Sequence, residues 1–191
     1  MAPKDTLIPL LYKLTERVGL LDFYIQEASL LEKKDSVLRV CDLDDTLCGR
    51  KDQLEGEEML RLNRGGAGTT IIFNTLWIYN YIEKYYAGVD FPTDILKLLN
   101  PETDIILTAG VKELQIMKAR AANLAKYKLK VVDEWQDKIL ETIRYVLFEL
   151  RYIPSEIIVY EDRPQYFVEY RELIEQILET KLTINFVEMN G

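Results

Sequence analysis

At 191 residues, with 48% hydrophobic and 29% charged side chains, the chain has the length and composition of one globular domain with a small insertion, not of a disordered protein. Its formal net charge of -8 argues against broad non-specific nucleic-acid binding. The absence of histidine excludes Ser-His-Asp and Cys-His catalysis, histidine-ligated zinc and phosphohistidine chemistry within this chain, and leaves acid–base work mainly to carboxylates.

Residues 5 to 33 read as two helices. Asp5 is placed to cap the first, in which Leu7, Leu10, Leu11, Leu14 and Val18 keep helical spacing up to Gly19. The second, Leu20 to Leu31, is apolar around much of its circumference. Residues 1–36 are therefore expected to form a helical extension packed on the core. The alternative reading of the same apolar surface is a homodimer interface.

Val37 to Asp45 is a short β-branched run that reads as a buried strand and ends in three carboxylates, Asp42, Asp44 and Asp45. Like charges crowded at a strand end repel, and a hard divalent cation with oxygen ligands would relieve that repulsion. In an extended segment Asp42 and Asp44 would share a face. Residues 48 to 103 read as a flap or small cap insertion, too short for a large helical lid. Glycines at 65, 66 and 68 give the segment backbone freedom without the spacing of a phosphate-binding loop. Within it, Trp77, Ile78, Tyr81, Ile82 and Tyr85 share a helical face, which reads as core, with base stacking as the lesser option.

Asp104 to Gly110 reads as a second buried strand ending in Thr108. That hydroxyl is placed either to hold an anionic oxygen beside a helix start or to cap the helix. Lys128 to Asp133 follows as a third strand. Asp137 is then placed to cap a helix carrying Lys138, which reads as a surface lysine set against the helix dipole; Lys112 and Lys118, read as early in the preceding helix, compete with it for a functional role. Glu156 to Tyr160 is a fourth strand, delivering Glu161 and Asp162, and one helix with an apolar face from Tyr166 to Leu178 leads to a last strand, Leu182 to Val187.

Strands alternating with helices predict an α/β fold: a Rossmann-like, mostly parallel sheet of about five strands flanked by helices. The strand ends at Asp42, Thr108 and Glu161-Asp162 then lie along one carboxyl edge, where such sheets bind ligands. Two cysteines, Cys41 and Cys48, make no disulfide framework, no stretch approaches a membrane span, and the N-terminus lacks a signal peptide's pattern. A cytoplasmic protein with no membrane partner is the expectation.

The hydrophobic strand followed by Asp-x-Asp-x-Thr-Leu, then Thr108, Lys138 and Glu161-Asp162 in that order, resembles the four motifs of the haloacid dehalogenase-like superfamily over residues 37–191. A response-regulator receiver uses similar residues, but its phosphorylated Asp comes from the third strand. The resemblance implies a Mg2+-dependent phosphomonoester hydrolase working through an aspartyl-phosphate. It assigns Asp42 as nucleophile, Asp44 as general acid–base, Thr46 as a loop-steadying residue, and Thr108 and Lys138 as partners of the phosphoryl oxygens. Asp42, Asp44, Asp162 and Glu161 are implied as the metal site, Asp44 through its backbone. Glu161 departs from the Asp or Gly usual at that position. Val-Tyr-Glu-Asp-Arg-Pro and Ile-Leu-Thr-Ala-Gly are similar to the RNA-repair-like and polynucleotide phosphatase branch, and to phosphatases of the RNA polymerase tail. The phosphorylated substrate thus stands open between a small molecule, a nucleic-acid end and a phosphoprotein. A phosphotransferase, or a non-catalytic binding module on the same fold, would use the same residues.

Overall fold

The computed structural model describes residues 20–48, 82 and 94–187. The apolar runs form strands β1 (Lys33–Cys41), β2 (Ile105–Ala109), β3 (Lys128–Val132), β4 (Ile153–Glu161) and β5 (Lys181–Phe186). All are parallel, in the order β3-β2-β1-β4-β5. The helices are α1 (Leu20–Ser29), α2 (Ile95–Leu98), α3 (Lys112–Ala121), α4 (Asp137–Arg144), α5 (Gln165–Glu169) and α6 (Arg171–Leu178), with π-helical turns at Tyr145–Leu150 continuing α4. The arrangement is Rossmann-like. None of the described helices is long and apolar enough to cross a membrane.

Side-chain parity splits the core into two layers. Leu38 and Val40 of β1, Ile105 and Leu107 of β2, and Ile157 and Val159 of β4 face one side, under α4, α6 and Tyr24 and Ala28 of α1. Cys41, Leu43 and Ile106 face the other, packed with Leu114, Met117 and Ala119 of α3 and with Ile82. The two-faced burial is why these strands read as continuous apolar runs.

Several boundaries differ from expectation. β1 starts at Lys33, ahead of Val37, because Lys33 and Lys34 pair with Ile153 and Pro154 through the backbone while their side chains stay in water and carry no apolar signal. The end of the 1–36 extension is thus part of the sheet. The single helix expected across residues 166–178 is two, broken at Tyr170. Asp137 is the first residue of α4 and not its cap; its carboxylate instead accepts from the Glu134 N–H at 3.3 Å. The first N-terminal helix, the Gly65–Gly68 segment and most of the 48–103 insertion lie outside the described residues.

Between the layers, the buried Asp104 carboxylate accepts the backbone N–H groups of Arg39 at 2.8 Å and Asn100 at 2.7 Å, and pairs with the Arg39 guanidinium at 3.5 Å. It ties the entry of β2 to the middle of β1. Asp104→Ala removes the acceptor of two partly buried backbone donors and the partner of a partly buried cation, so a loss of about 2 kcal/mol is expected. An unfolding free energy within about 0.5 kcal/mol of wild type in urea melts, at unchanged slope, would show the tie to be dispensable (roughly the scatter of neutral surface changes).

Candidate functional site

At the centre of the sheet the chain leaves β1 toward one side and β4 toward the other, the topological switch point at which α/β sheets open a crevice. The residues immediately beyond these two strands line a cleft of about 1050 Å³. The ladder runs one step past β1: the Asp42 N–H donates to the Tyr160 carbonyl at 2.9 Å. Asp42 therefore keeps the parity of Leu38 and Val40, and Glu161 that of Ile157 and Val159. Both carboxylates emerge on the face covered by α4, and both are buried.

Lys138, in the first turn of α4, lies between them. Its Nζ donates to Asp42 Oδ1 and to Glu161 Oε2, each at 2.8 Å, with the side chains of all three less than a tenth exposed. It is not the surface lysine its place at a helix start implied. Burial works against its ammonium, yet Asp42 and Glu161 together hold its pKa above the ordinary lysine value. Burial, then the Asp42 charge, push Glu161 up to about 8. Burial also raises Asp42, against the pull of Lys138. Two buried carboxylates thus share one ammonium, and the cluster is short of positive charge.

Asp162 adds a third carboxylate. One oxygen each from Asp42, Glu161 and Asp162 lie within 4.8 Å of one another. The Arg163 Nε sits 3.3 Å from Asp162, but that guanidinium is more than half exposed and neutralises little. An all-oxygen donor set with an unmet need for positive charge fits a hard divalent cation, and the described residues add no sulfur or nitrogen ligand to favour a softer one.

Asp44 takes a different direction. The strand has ended, Asp45 adopts a left-handed conformation (φ 59°), and the Asp45 N–H donates to the Cys48 carbonyl at 2.8 Å. An aspartate tolerates that backbone better than most residues. Asp44 lies toward α3 on the opposite layer, where Lys118 Nζ donates to both its oxygens at 2.9 and 2.8 Å. Asp42 and Asp44 line one cleft but do not share a cation. Lys118 is in the last turn of α3, not early in the helix as expected, and is itself buried. Lys112 lines the cleft without a role in either cluster.

Thr108, near the end of β2, is buried and lines the same cleft. It stands in the strand and caps nothing; the cap of α3 is Val111. Between them Gly110, at φ +131°, makes the turn, its N–H bonded to the Val132 carbonyl at 2.8 Å. A side chain there would be strained and would press on Gln115, whose amide donates to the Ala109 carbonyl at 3.0 Å. Thr46 is fully buried, and its hydroxyl makes no hydrogen bond among the described residues. Cys41 and Cys48 are buried free thiols, and burial pushes both pKa values far up, which leaves them poor nucleophiles.

Residue types placed Lys138 first with Lys112 and Lys118 as competitors; the layers separate the three. Sequence reasoning missed the Lys118–Asp44 pair altogether. The only available signal was Lys118 lying among apolar helix positions, and lysine stems often lie that way on surfaces. Comparisons with family models, curated proteins and solved structures found no match to the chain.

Proposed function

We propose that the chain is a Mg2+-dependent phosphomonoester hydrolase that works through an aspartyl-phosphate on Asp42. The observation that carries this reading is the delivery of Asp42 and Glu161 by adjacent strands to one switch-point cleft, bridged by buried Lys138, with Asp162 and Thr108 beside them. Phosphoryl transfer asks chiefly for positioning and neutralisation of charge; the carboxylates and Lys138 supply the positioning, and a bound cation would supply the missing positive charge.

In this reading Asp42, Glu161 and Asp162 hold the cation, which when bound offsets charge on the cluster and on the phosphoryl oxygens. An Asp42 oxygen forms a bond to phosphorus as the bond from phosphorus to the ester oxygen breaks. The leaving oxygen takes a proton from Asp44, and Asp44 later accepts one from the water that cleaves the acyl phosphate. Covalent attack divides one difficult step into two. Lys138 fixes the Asp42 carboxylate, and Thr108 offers a hydroxyl to the transferred group. With both Asp44 oxygens accepting from Lys118, that pair has to open, and Asp44 take up a proton from solvent, before it can serve as the acid.

The test is turnover of acetyl phosphate and sugar phosphates by the purified chain with Mg2+ and with a chelator. Metal-dependent release of phosphate is expected, and Asp162→Ala should weaken both Mg2+ binding and turnover about tenfold or more, as loss of one ligand carboxylate would. Equal Mg2+ affinity in wild type and variant would remove Asp162 from the metal site. Mg2+ binding without turnover of any phosphate ester would leave a binding module in place of an enzyme.

A further inference from the structure

Trp135 is 46% exposed, although tryptophan is highly buried on average. It lines the same cleft as Asp42 and Asp162 and belongs to neither apolar core cluster. The ring is nevertheless held in place. The Arg163 guanidinium sits 5.3 Å from its centroid, and the Tyr166 ring is 5.9 Å away, tilted by 58°. Arg163 is in turn paired with Asp162 at 3.3 Å. A large π surface is thus braced by the residue that follows the acidic cluster and left open toward solvent beside it.

We propose that Trp135, flanked by Arg163 and Tyr166, is a stacking platform for a nucleobase, and that the phosphoester acted on at Asp42 is a free mononucleotide. The phosphate half of this inference rests on the hydrolase reading above; the base half rests on the platform alone. Aromatic rings stack on any base, and a neighbouring guanidinium adds to the attraction.

Trp135 and the phosphoryl position are linked through one short stretch of chain: the Trp135 carbonyl accepts the Lys138 N–H at 3.1 Å, and the Lys138 Nζ donates to Asp42 at 2.8 Å. The charge of the cleft then selects a mononucleotide over a polynucleotide end, since the described lining carries eight carboxylates and four cations. A run of further phosphates would meet repulsion there, in keeping with the overall charge of -8. One phosphate and one base suit the cleft better than a polynucleotide end.

The experiment compares adenosine monophosphate with ribose 5-phosphate, which keeps the sugar and phosphate and lacks the base, using the full chain and Mg2+. Wild type should favour the nucleotide in kcat/KM on the order of tenfold, the scale of one base stacked on an aromatic ring. That ratio should fall toward one in Trp135→Ala and only part of the way in Trp135→Phe, which keeps a ring if the smaller variant folds poorly. Equilibrium dialysis with adenosine separates the two inferences, since the nucleoside has no phosphate to lose. Adenosine bound by wild type and not by Trp135→Ala upholds the platform even if no ester is hydrolysed and the hydrolase reading fails. The proposal is overturned if wild type neither binds adenosine nor prefers the nucleotide. It is equally overturned if phosphotyrosine or a 5′-phosphorylated oligonucleotide is the better substrate, or if Trp135→Ala leaves the ratio intact.

Discussion

Asp42→Asn is expected to abolish phosphate release and with it any covalent intermediate. The amide can neither attack phosphorus as a carboxylate nor form the same charge-assisted bond to Lys138, and it removes a negative ligand from the Asp42, Glu161 and Asp162 cluster. Beryllium fluoride, which mimics an aspartyl-phosphate on a free carboxylate, should protect wild type against unfolding and leave this variant unaffected. The companion change Asp44→Asn should be milder and selective. General acid catalysis is typically worth about 10²–10⁴-fold, and that loss is expected with an alkyl phosphate, shrinking with an acidic phenol that needs little protonation. The contrast separates nucleophile from acid because the two carboxylates sit in different layers, one on Lys138 and the other on Lys118. Substantial activity in Asp42→Asn, with phosphate appearing on another residue, would show that the roles have been assigned wrongly.

Lys138→Met should produce the largest stability change at the site, a loss whose size depends on metal. Without a cation the substitution leaves Asp42 and Glu161 buried and facing each other with their shared ammonium gone. Removing one partner from a buried pair costs about 3–5 kcal/mol, and here two carboxylates lose theirs. One of them is then pressed to keep a proton, the direction in which burial and the Asp42 charge already push Glu161. A cation that binds only the folded cluster stabilises it by mass action. Mg2+ should therefore recover much of the loss, raising the unfolding midpoint of the variant by more than that of wild type. The comparison needs urea melts of both proteins in chelator and in excess Mg2+. Identical Mg2+ shifts in the two proteins would mean that the metal does not sit on this cluster.

Much of the geometry was already written in strand parity. Leu38, Val40 and Asp42 alternate, as do Ile157, Val159 and Glu161, so any parallel pairing of these two runs in register puts both carboxylates on one face at one edge. The alternation of strands and helices likewise required a layered α/β sheet with its ligand edge at the carboxyl ends, which is where the cleft lies. Lys33 and Lys34 were illegible as strand because their side chains are in water, and backbone pairing alone leaves no trace in residue type.

Strand parity was thus legible for Asp42 and Glu161, because a period of two decides the face of every residue in a strand; that β4 lies beside β1 is a fact of the fold. Tertiary structure alone decided which cations meet them. A helical period places Lys112, Lys118 and Lys138 around their own helices but says nothing about which helix covers which layer, or how far a four-carbon stem reaches once it does. Asp44 is a further case, since beyond the end of β1 it pairs with Lys118 on the opposite layer from Asp42, against the shared face that an extended strand would give. The same holds for Trp135, whose exposure follows from the short loop between β3 and α4, and whose neighbours Arg163 and Tyr166 come from a strand end and a helix remote in the chain. Local periodicity is a property of one element, whereas a site is assembled from the gaps between several.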